Sequence, residues 1–324
     1  MASTAAGAPE AIGVDLGGTK MLVGVVDTEQ RVSYRGHEPS HGRSADEVIE
    51  LLADELAEAR RERPGVLAAG LGIPCTIDRE RGVAIQAVNL PIEDVPIRDL
   101  MRERLGIPVY VDNDANVAAL AEYRFGAGRG SRNLVMLTIG TGIGGGLIID
   151  GRVYRGSTGA AGELGHVVVD IDGPPCQGNC PGHGCIESLA SGTAIAKEAR
   201  EAAEREPESA LGRAAREGRE LDARLLIEAA KEGDATSRGV LDVVGGRLGA
   251  ALASLANAFD PDVLVLGGGV MAAGELILEP AREELRGRAL RPQSRTPVLA
   301  AELGPEAGMV GAAAMAMAEL EAAR

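Results

Sequence analysis

The sequence predicts an α/β fold built from two related halves. Apolar runs of strand length alternate along the chain with amphipathic segments of helical length, and this alternation is typical of a sheet covered by helices. One arrangement also occurs twice. An apolar run, a Gly-rich turn, a second apolar run and an Asp occupy residues 12–27 and again residues 134–150. This weak duplication indicates two similar α/β units, each with one Gly-rich turn.

In the first half, two strands are expected at residues 12–15 and 21–27, around the turn Leu16-Gly17-Gly18-Thr19-Lys20. An amphipathic helix is expected from residue 44 to 63, because Ser44 can cap its first turn and Glu47 completes a capping box. The other expected elements of this half are strands at 66–73 and 109–112 and a helix from about 115 to 125.

In the second half, apolar runs at residues 134–139 and 147–149 flank the turn that runs from Gly140 to Gly146. A third Gly cluster, at residues 267–269, follows the expected strand 263–266 and precedes a helix-like stretch. The other expected elements are a largely helical region at 194–249 and an Ala-rich helix after residue 308. No long linker is present, and the domain boundary is expected between residues 114 and 133.

Composition and charge exclude several classes of protein. Hydrophobic residues make up 45% of the 324, which is enough for a sizeable core, so the chain is not disordered. The net charge of −15 argues against a general nucleic-acid binder, because contacts with phosphate backbones need clustered Lys and Arg. With no Trp, 2 Phe and 4 Tyr, the chain also lacks the aromatic residues on which unpaired bases stack.

The sequence gives no sign of a membrane span or of export. Its most apolar stretch, about Leu248 to Phe259, is too short to cross a bilayer and contains Asn257. Residues 1–10 lack the basic start and long apolar segment of a signal peptide and are interpreted as a flexible leader. We therefore expect a cytoplasmic protein, in which the four Cys do not form a disulfide framework.

The Gly-rich turns are candidate phosphate-binding sites. A Gly-rich turn exposes backbone N–H groups with no side chain in the way, and such concave arrangements bind anions. Thr19 and Thr141 add hydroxyl donors, and Lys20 adds a positive charge. Neither turn matches the Walker pattern or a dinucleotide fingerprint. A single Gly pair is more often an ordinary tight turn, but two turns in a repeated context and a third Gly run favour phosphate binding.

A second candidate is the acidic segment Asp112-Asn113-Asp114-Ala115-Asn116, which follows an expected strand. Active sites of open α/β sheets lie beyond the carboxyl ends of strands, and a carboxylate there can accept a proton from a substrate hydroxyl. The alternative is that Asp112 or Asp114 only caps the next helix.

The third candidate is a metal site. The segment Gly162-Glu163-Leu164-Gly165-His166 is followed closely by Cys176, Cys180 and Cys185. One His and three thiolates suit a closed tetrahedral zinc site, and four protein ligands imply a structural metal. His183, which lies inside the Cys loop, is a rival ligand, and Cys75 is interpreted as a packing residue.

Taken together, these motifs resemble the ROK family (repressors, open reading frames and sugar kinases), most of all its bacterial glucokinases, from about Ile12 to the C-terminus. The resemblance implies the actin-like ATPase (ribonuclease H-like) fold, with two α/β domains around a cleft. The domains expected on this basis are a leader at 1–10, a smaller domain at 11–114 joined by a C-terminal helix at about 305–324, and a larger domain at 115–304.

The resemblance also implies a function, which is the ATP-dependent phosphorylation of a hexose, above all glucose, at its 6-hydroxyl group, with Mg²⁺. Asp114 would be the catalytic base and Asp15 would hold Mg²⁺ through water. The implied sugar-binding residues are Asn89, Asn113, Asp114, Glu163, His166 and Glu187. The implied nucleotide-binding residues are Asp15, Gly17, Gly18, Thr19, Lys20, Gly140, Thr141, Gly142, Gly144, Gly267, Gly268 and Gly269. The implied zinc ligands are His166, Cys176, Cys180 and Cys185.

The chain departs from the family pattern at three places. Gly178 stands where the first Cys of the zinc loop is common, Pro74-Cys75 replaces Pro-Gly, and no aromatic residue follows Asn89-Leu90. These changes leave the preferred hexose open among glucose, N-acetylmannosamine, N-acetylglucosamine, mannose, fructose and allose, and polyphosphate stays open as a donor.

The family also contains transcription regulators, which provide the alternative from a different functional class. Its repressors carry an N-terminal DNA-binding domain, whereas the first Gly turn here begins about fifteen residues into the sequence, so no such domain is expected. The partners expected are a hexose and a nucleotide, with neither nucleic acid nor membrane, in a homo-oligomer that is a dimer or a tetramer.

Overall fold

The structure is a computed structural model that describes residues 8–87, 90–178 and 180–323. Residues 1–7 of the expected leader and the expected sugar-binding residue Asn89 lie outside the described residues. Up to residue 129 the elements are β1 (Glu10–Leu16), β2 (Lys20–Asp27), β3 (Val32–Pro39), α1 (Ala45–Glu62), β4 (Ala69–Ile73), β5 (Cys75–Asp78), β6 (Val83–Ala87), β7 (Glu93–Val95), α2 (Ile97–Leu105), β8 (Val109–Asn113) and α3 (Asp114–Phe125).

The remaining elements are β9 (Leu134–Ile139), β10 (Ile143–Ile149), β11 (Arg152–Val153), α4 (Ile186–Ala190), α5 (Gly192–Arg205), α6 (Ala210–Arg216), α7 (Ala223–Lys231), α8 (Ala235–Phe259), β12 (Val263–Gly267), α9 (Glu275–Arg288), β13 (Val298–Ala300) and α10 (Ala307–Ala322). The chain divides into two compact units. The first comprises Met1–Arg129, Val153–Ala161 and Pro305–Arg324, and the second comprises Gly130–Arg152 and Gly162–Gly304.

The first unit is organised around a five-stranded sheet in the order β3-β2-β1-β4-β8. The hairpin β1–β2 is antiparallel, whereas β1, β4 and β8 run parallel, so their carboxyl ends meet at one edge of the sheet. Helix α10 packs its backbone directly on β1 and β4. A Cβ atom at Gly13 or Gly70 would collide with the carbonyl oxygens of Met309 and Ala312.

The capping box predicted for α1 is confirmed. The backbone N–H of Ser44 donates to Glu47 Oε2 at 2.7 Å, and the backbone N–H of Glu47 donates to Ser44 Oγ at 3.4 Å. The apolar side of α1 then lies in the core of the first unit, where Leu52 and Leu56 are almost fully buried. Local sequence chemistry therefore determines where this helix begins and which face it buries.

The second unit repeats the arrangement of the first. Its sheet has the order β11-β10-β9-β12-β13, the hairpin β9–β10 is antiparallel, and β9, β12 and β13 run parallel. Helices α4 to α9 belong to this unit and supply most of its apolar core, together with β9 and β12. The duplication predicted from the two Gly-rich turns therefore corresponds to two sheets with the same order, in which β2, β1, β4 and β8 have the same relative directions as β10, β9, β12 and β13.

The units differ from the expected domain limits in two places. The first change of unit, between Arg129 and Gly130, lies within the range 114–133 expected from the sequence, but not at residue 114, the limit that the resemblance implied. Helix α3 therefore falls in the first unit, where Val117 and Leu120 pack against Ala312 and Met315 of α10. Residues 153–161 also belong to the first unit. Glu10, the last residue of the expected leader, already begins β1.

One described helix, α8, is long and apolar enough to cross a membrane by length and composition alone. It includes the stretch from Leu248 to Phe259 and extends back to Ala235, so the expectation that this region is too short underestimated the helix. Of its most apolar window, 61% is buried inside the protein, as in the core helix of a globular domain.

Candidate active site and metal centre

The Gly-rich turn of the first unit lies between β1 and β2, as predicted. It is closed by a hydrogen bond from the backbone N–H of Gly17 to the carbonyl oxygen of Lys20, at 2.9 Å. Ser40, just after β3, holds the turn from one side. Its hydroxyl donates to the Gly17 carbonyl at 2.6 Å, and its N–H donates to the Thr19 carbonyl at 3.1 Å. The next strand thus fixes the conformation of this turn.

Asp15 precedes the turn near the carboxyl end of β1. Burial and the negative charge of Asp114 raise the pKa of Asp15 to about 7, although the positive charge of Lys20 acts in the opposite direction. Gly308 leaves the space that the Asp15 carboxylate occupies, because a Cβ atom there would lie 2.5 Å from Asp15 Cγ. A carboxylate in this position has the oxygen ligands that Mg²⁺ prefers, and a bound cation would favour its ionised form.

The acidic segment begins at the carboxyl end of β8 and leads into α3. Asn113 is the residue that caps this helix, because its Oδ1 accepts from the N–H groups of Ala115 at 2.9 Å and Asn116 at 3.3 Å. Neither Asp112 nor Asp114 is the N-cap residue that the alternative interpretation required. Asp114 Oδ1 accepts from the N–H of Ala115 at 2.8 Å, which fixes its carboxylate at the start of α3.

The sequence did not indicate the two side chains that bind Asp112 and so hold this segment, which are Arg155 and Asn116. Asp112 is buried, and its carboxylate binds the guanidinium group of Arg155 and the side-chain amide of Asn116. Arg155 follows Asp112 by 43 residues, so no local spacing rule indicates the pair.

In the second unit, the corresponding turn lies between β9 and β10. It is closed by the N–H of Gly140, which donates to the Gly142 carbonyl at 2.9 Å. The start of α5 holds it from outside. The N–H of Gly192 donates to the Gly140 carbonyl at 2.7 Å, and the Thr193 hydroxyl donates to the Thr141 carbonyl at 2.9 Å. This turn is therefore attached to a helix, not to a neighbouring strand.

Glu187, on α4, also fixes this turn. Its Oε2 accepts from the N–H of Ile143 at 2.8 Å, and it lies so close to Gly142 that a Cβ atom there would collide with the carboxylate. The other oxygen, Oε1, lies 3.8 Å from the sulfur of Cys176. Glu187 thus connects the turn with the cysteine loop.

The third Gly run lies beside the same turn. Gly267 ends β12, and Gly269 begins a short 3-10 helix that precedes α9. Gly268 has a φ of +88°, and a Cβ atom there would collide with the backbone of Ile139, the residue before Gly140. Only glycine fits this position, because both the backbone angle and the close approach exclude a side chain.

The predicted metal ligands converge. The ligand atoms of His166, Cys176, Cys180 and Cys185 all lie within 4.8 Å of one another. His166 Nδ1 is 3.5 Å from Cys176 Sγ, and the sulfurs of Cys180 and Cys185 are 4.0 Å apart. A tetrahedral zinc ion with ordinary bond lengths places its ligand atoms about 3.5–3.8 Å apart, so these residues fit the ion.

Among the described residues, this group consists of His166 and the three cysteines, so the rival ligand His183 does not belong to it. Burial and the neighbouring thiols raise the pKa of Cys176 to about 12, and burial also raises the pKa of Cys185. Because zinc binds thiolates, its binding would release these protons and stabilise the loop.

The segment that contains Glu163 and His166 packs against β10. Residues Leu164–His166 form a 3-10 turn, and a Cβ atom at Gly165 would collide with the backbone of Ile143. With Nδ1 directed at the cysteines, His166 Nε2 lies 3.8 Å from Glu163 Oε2. One ring nitrogen can therefore bind a metal while the other lies beside a carboxylate.

The structure thus sorts the predicted site residues into two groups, one in each unit. The first unit contains Asp15, Gly17, Gly18, Thr19, Lys20, Asn113 and Asp114. The second unit contains Gly140, Thr141, Gly142, Gly144, Glu163, His166, Cys176, Cys180, Cys185, Glu187, Gly267, Gly268 and Gly269.

Comparisons of the sequence and of the structure with known proteins both find members of the ROK family. The sequence profile of the ROK family matches residues 11–319. The glucokinase of Halalkalibacterium halodurans is 36% identical over 307 residues, which cover 93% of this chain and 92% of that protein. A xylose repressor of Caldicellulosiruptor bescii is 30% identical over 86% of this chain and 70% of its own length. Among solved structures, a ROK family glucokinase from Streptomyces griseus, in complex with glucose and AMPPNP, is 38% identical. It matches with a TM-score of 0.85 over 95% of this chain and 99% of its own.

Proposed function

The chain belongs to the ROK family, and on that basis we propose that it is an ATP-dependent sugar kinase that phosphorylates the 6-hydroxyl group of a hexose, with glucose as the preferred acceptor. The relatives named glucokinase match over most of their length, and one of them was solved with glucose and an ATP analogue. The fold is that of the actin-like ATPases, in agreement with the expectation from the sequence.

One observation of this chain carries the proposal. Asp15 lies near the carboxyl end of β1 and Asp114 directly follows β8, at the same edge of the sheet. They are close enough for the charge of Asp114 to add to the effect of burial in raising the pKa of Asp15. Two carboxylates at this edge can have different tasks. One can remain near a cation that accompanies phosphate, while the other accepts a proton.

Asp114 then acts as the base. A sugar hydroxyl is a weak nucleophile, so Asp114 orients it and takes its proton as the bond to the transferred phosphoryl group forms. Asn113, Glu163, His166 and Glu187 bind the other sugar hydroxyls, together with Asn89, which resemblance alone suggests. The backbone N–H groups of Gly17, Gly140 and Ile143 already have acceptors within the protein. Other N–H groups of the turns at 17–20 and 140–144 bind phosphate oxygens, and the run at 267–269 binds the adenosine part. Mg²⁺, when bound near Asp15, neutralises charge on the phosphates.

We also propose that His166, Cys176, Cys180 and Cys185 hold one structural zinc ion. Support comes from the spacing of their ligand atoms and from the thiols, which are the ligands that zinc prefers. Because Glu187 contacts both Cys176 and the turn at Gly142, the metal would stabilise residues proposed to bind sugar and nucleotide. A cytoplasmic location and a homo-oligomeric assembly, both expected from the sequence, remain predictions.

The proposal is tested by measuring ADP release from ATP over a panel of sugars, with polyphosphate as an alternative donor. We expect glucose to give the highest kcat/KM and Asp114→Asn to lose several orders of magnitude in kcat, roughly 10³-fold or more. Asp54→Asn, an exposed position on α1, is the matched control and should retain full activity. A higher kcat/KM with N-acetylmannosamine or another sugar would replace glucose as the acceptor. Normal turnover by Asp114→Asn would refute the role of the base.

A further inference from the structure

One segment of the chain crosses from the second unit to the first and returns. The chain leaves the second unit after Arg152, passes through the first unit at Val153–Ala161, and re-enters the second at Gly162. We call residues 153–161 the strap. It ends two residues before Glu163, so the strap leads through Gly162 to a proposed sugar-binding residue.

The strap is attached to the first unit at two points. At Gly159, which has a φ of +86°, a Cβ atom would lie 2.5 Å from the carbonyl oxygen of Ile77. At Arg155, the guanidinium group binds the carboxylate of Asp112, with Nε at 2.6 Å and Nη2 at 2.5 Å from Oδ2. The Arg155 side chain is only 20% exposed and that of Asp112 only 3%, so this ion pair is largely withdrawn from water.

The other oxygen of Asp112 holds the acidic segment. Asp112 Oδ1 accepts from the backbone N–H of Asn113 at 2.9 Å and from Asn116 Nδ2 at 3.0 Å. These two residues flank Asp114, the proposed base. The remaining side-chain oxygen of Asn116 is buried without a hydrogen-bond partner among the described residues, so this amide depends on Asp112 for its orientation.

Arg79 is the second cation near Asp112, but it does not replace the ion pair with Arg155. Arg79 Nε lies 3.9 Å from Asp112 Oδ2, but its Nη2 donates to Glu319 Oε1 at 2.6 Å. Removing the Arg155 guanidinium would therefore leave a buried carboxylate that has lost its short contacts to a cation. Such a group protonates or turns towards water, and either response disturbs its bonds to Asn113 and Asn116.

We propose that Arg155 is a positioning residue for the reaction. Its guanidinium group orients the Asp112 carboxylate, which in turn fixes Asn113 and the first turn of α3 on either side of Asp114. The proposal rests on the proposed kinase function and deepens it, because it assigns to the strap a part in aligning the base. Arg155 does not touch the reacting atoms, so its effect is on kcat and not on nucleotide affinity.

The test compares Arg155→Lys, Arg155→Met and the matched control Arg152→Met, an exposed residue just before the strap. We expect Arg155→Met to lower kcat about 100-fold, the cost of a misplaced catalytic group, with the Kd for ATP within about twofold of wild type. Arg155→Lys keeps the charge but not the paired donors, and it should lower kcat about tenfold while its melting temperature stays near that of wild type. Arg152→Met should behave as wild type.

A double-mutant cycle separates positioning from general stability. If Arg155 acts through Asp112, Asp112→Asn combined with Arg155→Met has the kcat of Asp112→Asn alone, and its melting temperature exceeds that of Arg155→Met because no buried charge is left unpaired. Multiplied kcat losses in the double variant, or full activity of Arg155→Lys, would overturn the proposal. Inactivity of the wild type towards every sugar would instead refute the kinase function.

Discussion

The Gly-rich turns of the two units occupy the same place in two sheets of the same topology, yet they are held in different ways. The turn at 17–20 is fixed by Ser40 at the end of the neighbouring strand. The turn at 140–142 is fixed by the start of α5 and by Glu187, which also contacts the cysteine loop. One hairpin is supported by its own sheet, the other by helices next to a candidate metal site.

The two turns also differ in the chemical groups that lie beside them. The first turn lies near the carboxylates Asp15 and Asp114, and burial together with repulsion from Asp114 raises the pKa of Asp15. The second lies beside a Gly run and a carboxylate that is already hydrogen-bonded to the backbone of Ile143. In the proposed reaction the first unit supplies the acid–base and cation chemistry. The conformation of the second turn depends on groups that are more distant in the sequence.

Of the changes that distinguish the two turns, removal of the metal should have the largest effect. Only the second turn is connected to the cysteine loop, through Glu187, whereas the first is held by Ser40. We expect about one zinc per chain, lost in Cys180→Ser, with a fall in kcat/KM for the sugar of about 10- to 100-fold. Hydrogen exchange should become faster at residues 140–144 and 176–192 because Glu187 loses its fixed neighbour Cys176. Exchange at residues 17–20, held by Ser40, should not change.

Cys75→Ser is the matched control, since Cys75 lies in the first unit and its ligand atom is not in the metal cluster. It should retain the metal and the exchange pattern at residues 140–144. Equal acceleration of exchange at both turns after metal loss would contradict the distinction between the units. Zinc-free protein with full activity would remove the metal from the proposed site altogether.

How much of this was predictable depends on the sequence distance over which a feature is determined. The capping box at Ser44 and Glu47 and the existence of both hairpins follow from neighbouring residues, and the sequence predicts them correctly. The turn expected at 140–146 was too long, because β10 already begins at Ile143. The convergence of three cysteines with His166 follows from spacing within twenty positions. The pairing of Arg155 with Asp112, the attachment of α3 to α10 and the N-cap role of Asn113 depend on tertiary packing or on a choice between adjacent polar residues. Local patterns do not determine these.

A smaller effect is expected from adding one methyl group to each turn, and the size of the effect should follow the space available. A Cβ atom at Gly142 would collide with Glu187, one at Gly17 would lie 3.2 Å from the Lys20 carbonyl, and one at Gly140 would meet nothing within 4 Å. None of these three glycines has a positive φ, so crowding and not backbone strain decides the result. Gly142→Ala should lower the free energy of unfolding by about 1–3 kcal/mol.

Gly140→Ala is the internal control, and its free energy of unfolding should be unchanged or higher by roughly 0.4–1 kcal/mol, because alanine restricts the unfolded chain. Gly17→Ala should fall between the two. Urea unfolding of the three variants gives the comparison. If Gly142→Ala were as stable as Gly140→Ala, Glu187 would not be a rigid support of the second turn.

The smallest expected effect concerns the charge of Asp15. Ionisation of this buried carboxylate lowers the stability of the first unit only. Burial and Asp114 raise the pKa of Asp15 to about 7 from the ordinary value of 3.8, so the folded protein binds this proton more tightly than the unfolded chain does. Stability should therefore fall as pH rises from about 4 to about 7 and level off above. Asp15→Asn should remove this dependence and raise the melting temperature at pH 8 by about 2–4 °C, the shift that 1 kcal/mol produces in a domain of this size.

Asp27, at the end of β2 in the same unit, provides a control of opposite sign. Burial alone would raise its pKa, but hydrogen bonds from Arg31 and from the backbone of Glu29 outweigh burial and lower it. Asp27→Asn should therefore lower the melting temperature at pH 8, because the folded state loses a carboxylate that it stabilises. If both variants shifted the melting temperature in the same direction, burial of the Asp15 charge and its repulsion from Asp114 would not destabilise the protein. The first turn would then carry no charge cost that a bound cation relieves.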